Sequence, residues 1–202
     1  AGRIRQLAAE KKVPVYAFAE DVAASGGYWL ATAADEIYAD PSSIVGSIGV
    51  ISSSFGFTGL MQRIGVERRM HTAGQKKSFL DPFSPEREED VERLKSLQRE
   101  LHGNFRAEVE RRRAGKLKGG EELFTGEFWT GARALELGLV DGLGDLRSVM
   151  RAKFGEKVRL RRVGARQSWL RRRLGLASLG QGLADGLVGA AEERAHWARF
   201  GL

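Results

Sequence analysis

Apolar and polar residues alternate along the first part of the chain in blocks that predict helices and strands in turn. Ile4, Leu7 and Ala8 share one face of a first helix. Residues 13–18 are almost wholly apolar and predict a buried strand, whereas residues 28–34 are alanine-rich and predict a buried helix. A helix, a strand and a helix in succession are typical of an α/β domain with a mostly parallel sheet.

A long charged helix is the most extended element that the pattern predicts. Ser84 is the predicted N-cap and Pro85 the first helical residue, with acidic residues in the first turn. Its apolar seam has a period near 3.5 and consists of Val91, Leu94, Leu97, Leu101, Phe105 and Val109. The other predicted elements are strands at residues 36–39, 44–51 and 66–71, helices at 59–64 and 132–137, and a last helix capped by Asp145 and ending near Phe154.

Ser25 stands between the predicted strand 13–18 and the predicted helix 28–34, at a strand-to-helix turn. Gly26 and Gly27 follow it, and free N–H groups at the start of a helix can stabilise a developing negative charge. The turn therefore suits an exposed nucleophilic hydroxyl, although the G-x-S-x-G spacing of the α/β-hydrolases is absent. Ser25 could equally cap the helix, since serine is among the preferred N-cap residues.

The composition of the chain limits the chemical groups and the partners that its function can involve. The 202 residues include no cysteine, which excludes disulfides, thiolate metal sites and a cysteine nucleophile. The formal net charge of +7 favours anionic partners, either nucleic acid or lipid headgroups. No apolar run approaches the length of a membrane span. The chain begins without Met inside a helical pattern, which predicts that a natural N-terminal segment precedes it.

A serine nucleophile needs a base, and two residue types could supply one. The three histidines, His71, His102 and His196, have no acidic partner in a recognisable local motif. Lys77 lies in a glycine-containing loop beside apolar residues, and its neighbour Lys76 is the competing candidate. A lysine acts as a base only where burial or nearby positive charge lowers its pKa towards neutrality. Solvated loop lysines are the ordinary alternative for both, and no metal-ligand cluster or phosphate-binding loop is evident in the sequence.

Four segments, in this order along the chain, closely resemble the S49 serine peptidases, the family of signal peptide peptidase A and SohB-like proteins. The similarity runs from the first residue to about Phe154 and leaves the chain beyond about Gly164 uncovered. Its most specific part is the A-S-G-G-Y block followed by the later G-x-x-K loop. The segments are DVAASGGY at 21–28, GSIGV at 46–50, GQKKS at 74–78, and FTG at 124–126 with ALELGLVD at 134–141.

The resemblance implies a ClpP/crotonase-like fold, a Ser–Lys dyad and a homo-oligomeric ring. By position, Ser25 matches the family nucleophile, and Lys77, three residues after the loop glycine, matches the general base. Ser47 matches a serine that hydrogen-bonds this lysine, and in the family the lysine and the serine can come from adjacent subunits. The N–H of Gly26 is the expected oxyanion donor. Residues Ile48, Gly49 and Val50 are expected to form a strand that binds an extended peptide substrate.

These expectations divide the chain into an S49 peptidase domain, residues 1–156, and a basic extension, residues 157–202. The family's upstream S-P-G-G turn is not in the sequence, so impaired catalysis is expected of this stretch alone. The predicted function is serine endopeptidase cleavage of hydrophobic peptides, such as signal-peptide remnants, by a bacterial, membrane-associated enzyme. No cofactor, metal or nucleic-acid partner is expected.

Two alternatives remain open on sequence grounds. A catalytically silent crotonase-like scaffold could bind a membrane surface through the basic segment from Lys157 to Arg173, in which Trp169 and Leu170 interleave with arginines. A solvated charged face explains that segment equally well. An acyl-CoA enzyme on the same fold is the other alternative, but such an enzyme has no need of Lys77 as a buried neutral amine.

Overall fold

The computed structural model describes residues 1–74 and 76–163. Short elements dominate it, apart from one helix of 25 residues. In chain order the elements are α1 (Gly2–Lys11), β1 (Tyr16–Ala19), β2 (Val22–Ala24), α2 (Gly26–Ala31), β3 (Glu36–Ala39), β4 (Ile44–Gly46), α3 (Thr58–Ile64), α4 (Glu88–Arg112), a 3-10 turn (Glu121–Phe124), β5 (Phe128–Thr130), α5 (Gly131–Glu136), β6 (Gly142–Leu143) and α6 (Leu146–Phe154).

The strands form two three-stranded sheets. In the first, with the order β1-β3-β6, all neighbours are parallel, and Tyr16 pairs with Glu36. In the second, with the order β2-β4-β5, β2 and β4 are parallel and β5 is antiparallel to β4. The predicted α/β class with mostly parallel pairing and flanking helices is thus confirmed. Parallel pairs need crossover connections, and α2 lies in the connection between the paired strands β1 and β3.

The core lies where α2, α4 and α5 pack on the strands. Tyr28 of α2 is fully buried, and its hydroxyl donates to the carbonyl of Leu139 across 2.8 Å. The neighbouring Trp29 stacks on Phe105 of α4, with ring centroids 4.7 Å apart. Val109, one turn further along α4, is also fully buried. Helix α2 is therefore fixed by its contacts with Leu139 and with Phe105 of α4.

An ion pair is buried beside this core. The guanidinium of Arg113 is almost completely enclosed and donates to a carboxylate oxygen of Asp141 across 2.6 Å. It also donates twice to the carbonyl of Gly138, while Asp141 accepts further bonds from Lys116 and from the N–H of Ile37. Burial raises the pKa of Asp141, but the bonds from Arg113, Lys116 and Ile37 outweigh it and hold the pKa below its usual value.

Several predicted boundaries are wrong. The strand predicted at 66–71 is irregular and exposed, because no other strand in the described part of the chain pairs with it. The strand predicted at 44–51 ends at Gly46, and the one predicted at 13–18 occupies Tyr16–Ala19. The predicted helix 28–34 starts and ends earlier, at Gly26–Ala31.

The start of the long helix also differs from the prediction. Ser84 is not its N-cap, because the Ser84 hydroxyl donates to Asp81 within the preceding turn. The helix begins at Glu88 after an extended Arg87, and its first turn is acidic as predicted. Of its apolar seam, only Phe105 and Val109 are buried. The first half of the helix therefore leaves much of its apolar surface uncovered.

Candidate functional site

Ser25 lies at a sharp turn between β2 and α2. Its backbone has φ 51° and ψ −121°, a combination that is costly for a residue with a side chain. Its N–H donates to the carbonyl of Gly46 across 2.8 Å, and its carbonyl accepts the N–H of Trp29. The strand that leads into the turn is Val22–Ala24, one strand later than the sequence predicted.

The side chain of Ser25 is not used as a helix cap. Ser25 occupies the N-cap position of α2, yet its hydroxyl accepts no hydrogen bond from the first helical turn. The residue is half-buried, so the hydroxyl remains accessible. Of the two readings that the sequence left open, the structure gives no support to a capping role.

Gly26 and Gly27 leave open space beside this hydroxyl. Both are exposed, and a Cβ built on either residue would meet no atom within 4 Å. Within residues 1–74 and 76–163, neither N–H has a hydrogen-bond acceptor. Amide groups that are free beside a nucleophile are the donors that an oxyanion requires.

Ser47 directly follows β4, the strand that pairs with β2 beside the Ser25 turn. Its backbone is also left-handed, with φ 52°, and its N–H donates to the carbonyl of Glu127 across 2.7 Å. The residue before it, Gly46, has φ 109° and faces the ring of Trp129, so a side chain would not fit there. Ser25 and Ser47 thus lie on hydrogen-bonded neighbouring segments.

The segment expected to bind substrate continues from Ser47 but is not a strand. The turn at Gly46 and Ser47 ends β4, and the N–H of Gly49 donates back to the carbonyl of Ser47. The side chain of Ile48 is fully buried, whereas Val50 is exposed. Gly49 lies against the backbone of Gly126, where an added Cβ would approach to 2.9 Å. A ligand could therefore contact Gly49 and Val50 but not the Ile48 side chain.

Lys77 lies apart from this arrangement in the single chain. It is exposed, and its N–H donates to the carbonyl of Gly74, which has φ 102°. Among the described residues, its ammonium forms no hydrogen bond or ion pair, with Ser25 or with any other group. Lys76 is exposed as well. The structure brings Ser25, Gly26 and Ser47 together and leaves Lys77 in solvent.

The sequence pattern offers none of the three histidines an acidic partner, and the structure describes two of them. His71 is exposed, and His196 lies outside the described residues. His102 is half-buried on α4, and its Nε2 atom is buried with no hydrogen-bond partner in the described part of the chain. The spacing of Lys95, Arg99 and His102 along one face of α4 is the sequence signal that could have drawn attention to it.

No group of three or more His, Cys, Asp or Glu residues within 1–74 and 76–163 is arranged to hold a metal ion. No helix in the same residues combines the length and the apolar character that a bilayer crossing requires.

A strained serine between a strand and a helix, followed by free glycine amides, is an arrangement that suits a nucleophile beside an oxyanion site. The chain belongs to Peptidase family S49, whose sequence profile matches residues 7–159. The mostly parallel α/β arrangement of the described elements agrees with the ClpP/crotonase-like fold that the resemblance implied.

The relatives include proteins named as proteases and a protein named as an antiporter. The chloroplastic serine protease SPPA of Arabidopsis thaliana is 34% identical over 70% of this chain and 21% of its own. The probable protease SohB of Buchnera aphidicola is 31% identical over 79% of this chain and 46% of its own. The Na(+)/H(+) antiporter NhaA of Brucella abortus is 54% identical over 99% of this chain.

The chain corresponds to only part of these proteins. It spans 28% of the length of the Brucella abortus protein, and less than half of SPPA and SohB. Among solved structures, an enoyl-CoA hydratase/isomerase family member aligns with 98% of this chain at 18% identity and a TM-score of 0.33. That score is too low to support a conclusion.

Proposed function

We propose that this chain is the catalytic part of a serine endopeptidase in which Ser25 is the nucleophile and Lys77 the general base. The observation that carries the proposal is the backbone of Ser25, held at φ 51° and ψ −121° with a hydroxyl that caps nothing. Such strain persists only where the surrounding structure enforces it, and it is concentrated at functional sites. Family membership and the protease relatives support the same reaction class.

The reaction that these groups would perform is acyl transfer. A neutral Lys77 amine takes the proton of the Ser25 hydroxyl as Oγ forms a bond to the scissile carbonyl carbon. The carbonyl oxygen becomes an oxyanion, which the N–H of Gly26 stabilises. When this intermediate collapses, the C–N bond breaks and the lysine ammonium returns its proton to the leaving amine. Water then attacks the acyl ester, and the released acid leaves Ser25 free.

Ser47 would hold the lysine amine in position. It is the residue after Gly46, whose carbonyl accepts the Ser25 N–H, so the backbone places it next to the proposed nucleophile. A hydroxyl can both donate to a neutral amine and accept from an ammonium. Ser47 therefore suits a group that must lose and regain its proton.

We further propose that the lysine comes from a neighbouring copy in a homo-oligomeric ring. The single chain leaves Lys77 exposed and also exposes apolar side chains around the segment that carries it. Phe55 is 80% exposed, Ile64 is 61% exposed and Leu60 is 54% exposed. An apolar surface of this extent is typical of an interface. A ring would cover it and could at the same time bury the amine, which is what a neutral lysine requires.

The proposed substrates are hydrophobic peptides, such as signal-peptide remnants at a membrane. The exposed apolar residues Val50 and Ile51 follow directly after the proposed site and could contact an extended peptide. The name of one relative, the serine protease SPPA, supports a proteolytic role. Because the chain spans only part of the length of these relatives, the substrate proposal concerns the complete protein.

Active-site labelling tests this proposal. The complete protein is treated with a fluorophosphonate probe, and the modified residue is identified by mass spectrometry. We expect one adduct, on Ser25, that is absent from Ser25→Ala and retained in Ser52→Ala, which removes an exposed serine outside the site. Full peptidase activity in Ser25→Ala would overturn the proposal.

Membrane binding without catalysis is the second candidate. Lys157, Arg159, Arg161 and Arg162 are exposed and form no ion pair within the described residues. The rest of the basic segment, up to Arg173, lies outside those residues. Co-sedimentation with anionic liposomes at rising salt tests this candidate, since an electrostatically held protein is released as salt screens the attraction. Binding by a protein that fails to label at Ser25 would favour the scaffold.

A further inference from the structure

A cavity of about 280 Å³ lies between α4 and the loop that follows β4. On the helix side it is lined by Lys95, Arg99 and His102. These residues are spaced at i, i+4 and i+7, so they share one face of the helix. On the other side, Gly49 and Val50 line it. The cavity therefore has a cationic wall and a wall made by the segment next to the proposed site.

Arg99 and His102 have polar groups without partners on this wall, and Lys95 has only a weak partner. Arg99 forms no ion pair in the part of the chain that the structure describes, and the buried Nε2 of His102 has no hydrogen-bond partner there. Lys95 pairs with Glu92 at 3.0 Å, but both side chains are more than half exposed, so that pair is weak. Buried polar atoms without partners are rare in proteins and call for an explanation.

The cavity is close to the proposed nucleophile. The Ser25 N–H contacts the Gly46 carbonyl, and Gly49 lies three residues further along the chain. Three residues span at most about 11 Å. A peptide bound at Ser25 and running along residues 46–50 would therefore reach the cavity within a few residues of its scissile bond.

We propose that this cavity binds a carboxylate of the peptide substrate, either its C-terminal carboxylate or an acidic side chain. The planar guanidinium of Arg99 can hold a carboxylate with two parallel hydrogen bonds, and the ammonium of Lys95 adds a second positive charge to the same wall. No acidic residue lines the cavity to compete for these donors. The inference rests on the proposed function in one respect, namely that the ligand is a peptide.

Peptide binding to the Ser25→Ala variant of the complete protein tests this subsite without turnover. Four fluorescent versions of one hydrophobic peptide are compared by anisotropy: free C-terminus, amidated C-terminus, and the amidated peptide with an internal Glu or the matching Gln. We expect at least one carboxylate peptide to bind about tenfold more tightly than its neutral counterpart, because charge-assisted hydrogen bonds are roughly twice as strong as neutral ones. The pair that shows the difference identifies the source of the carboxylate.

Substitutions then assign the effect to the cavity. Arg99→Gln is expected to remove most of the preference, and Lys95→Gln part of it. Arg93→Gln is the matched control, because Arg93 is an exposed cation of the same helix on another face. Circular dichroism confirms that each variant is folded. A preference that survives in Arg99→Gln overturns the proposal.

The remaining outcomes separate this subsite from the proposed function. Equal affinity for all four peptides overturns the subsite and leaves the peptidase proposal intact. Absence of any peptide binding while Ser25 still reacts with a fluorophosphonate in the parent protein also overturns the subsite alone. Loss of both binding and labelling overturns the peptidase proposal, and the subsite with it.

Discussion

The N–H of Ser25 donates to the carbonyl of Gly46 across 2.8 Å, and this bond joins two turns that are both strained. Ser25 has φ 51° and Ser47, the residue after Gly46, has φ 52°. Each left-handed conformation costs about 1–3 kcal/mol for a residue with a Cβ. Two serines held this way at the ends of neighbouring strands are better explained by a shared chemical task than by packing, since glycine would satisfy both turns at lower cost.

Replacing Lys77 tests the proposed base. Lys77→Ala is expected to lower kcat of the complete protein by at least about a hundredfold, within the usual contribution of a general base. Peptide hydrolysis is the measurement, and fluorophosphonate labelling of Ser25 should slow in parallel. Lys76→Ala is the matched control, because Lys76 is the adjacent exposed lysine of the same loop. Equal losses in the two variants would show that the loop, and not one amine, is needed.

Replacing Ser47 tests the positioning role. Ser47→Ala keeps the Cβ and removes only the hydroxyl, so it should lower kcat by roughly three- to tenfold, the worth of one hydrogen bond, and leave KM nearly unchanged. The pH dependence of kcat should also move, because the proposal places this hydroxyl against the general base. Ser53→Ala, at an exposed position beyond the site, should leave both parameters unchanged. A pH profile identical to that of the parent would argue against contact with the base.

The elements that the sequence predicted well are those whose signal is local. The strand Glu36–Ala39 and the helix capped by Asp145 are confirmed almost to the residue. Asp145 accepts two N–H groups of the first turn, as a capping aspartate should. An alternating strand and a side-chain cap depend on neighbours in the chain, which a sequence displays directly.

The errors fall where distant residues decide the outcome. Residues 66–71 have a strand-like pattern, but a strand needs a partner, and the described fold provides none at that place. The end of β4 at Gly46 depends on the approach of Trp129, more than eighty residues away. The candidate site shows the same division. The Ser25 turn could be predicted from local pattern, whereas the unpartnered Nε2 of His102 depends on what packs against α4.

Gly138 and Gly103 occupy different surroundings, so replacing each with alanine should change stability in opposite directions. Gly138 has φ 77°, and a Cβ there would overlap the backbone carbonyl of Lys116. Gly138→Ala should therefore destabilise the domain by more than about 1–2 kcal/mol, the cost of the left-handed backbone alone. Gly103→Ala should stabilise it by up to about 1 kcal/mol, because Gly103 lies inside α4 with open space around it. Urea unfolding measures both, and similar effects of the two substitutions would be inconsistent with the packing described.

Neutralising Asp141 tests the buried ion pair. Asp141→Asn leaves the enclosed Arg113 charge without its counter-charge and should lower the free energy of unfolding by about 3–5 kcal/mol near pH 7. Glu136→Gln is the control, because Glu136 belongs to a surface pair with Arg133 that should contribute less than about 1 kcal/mol. Urea unfolding of the parent and both variants gives the comparison.

The stabilising contribution of Asp141 should depend on pH, and the sign of this dependence follows from the shift of its pKa. The bonds from Arg113, Lys116 and the Ile37 N–H overcome the opposing effect of burial and hold the pKa of Asp141 below its usual value in the folded state. A lowered folded pKa stabilises the fold fully above the unfolded pKa of about 3.9, and this contribution is lost as the pH falls from there through the folded pKa. The difference in unfolding free energy between the parent and Asp141→Asn should therefore be constant between about pH 5 and about pH 7. It should shrink below about pH 4. A difference that stays the same down to about pH 2 would show that Arg113 is stabilised by the Gly138 carbonyl alone, and that the carboxylate charge contributes little.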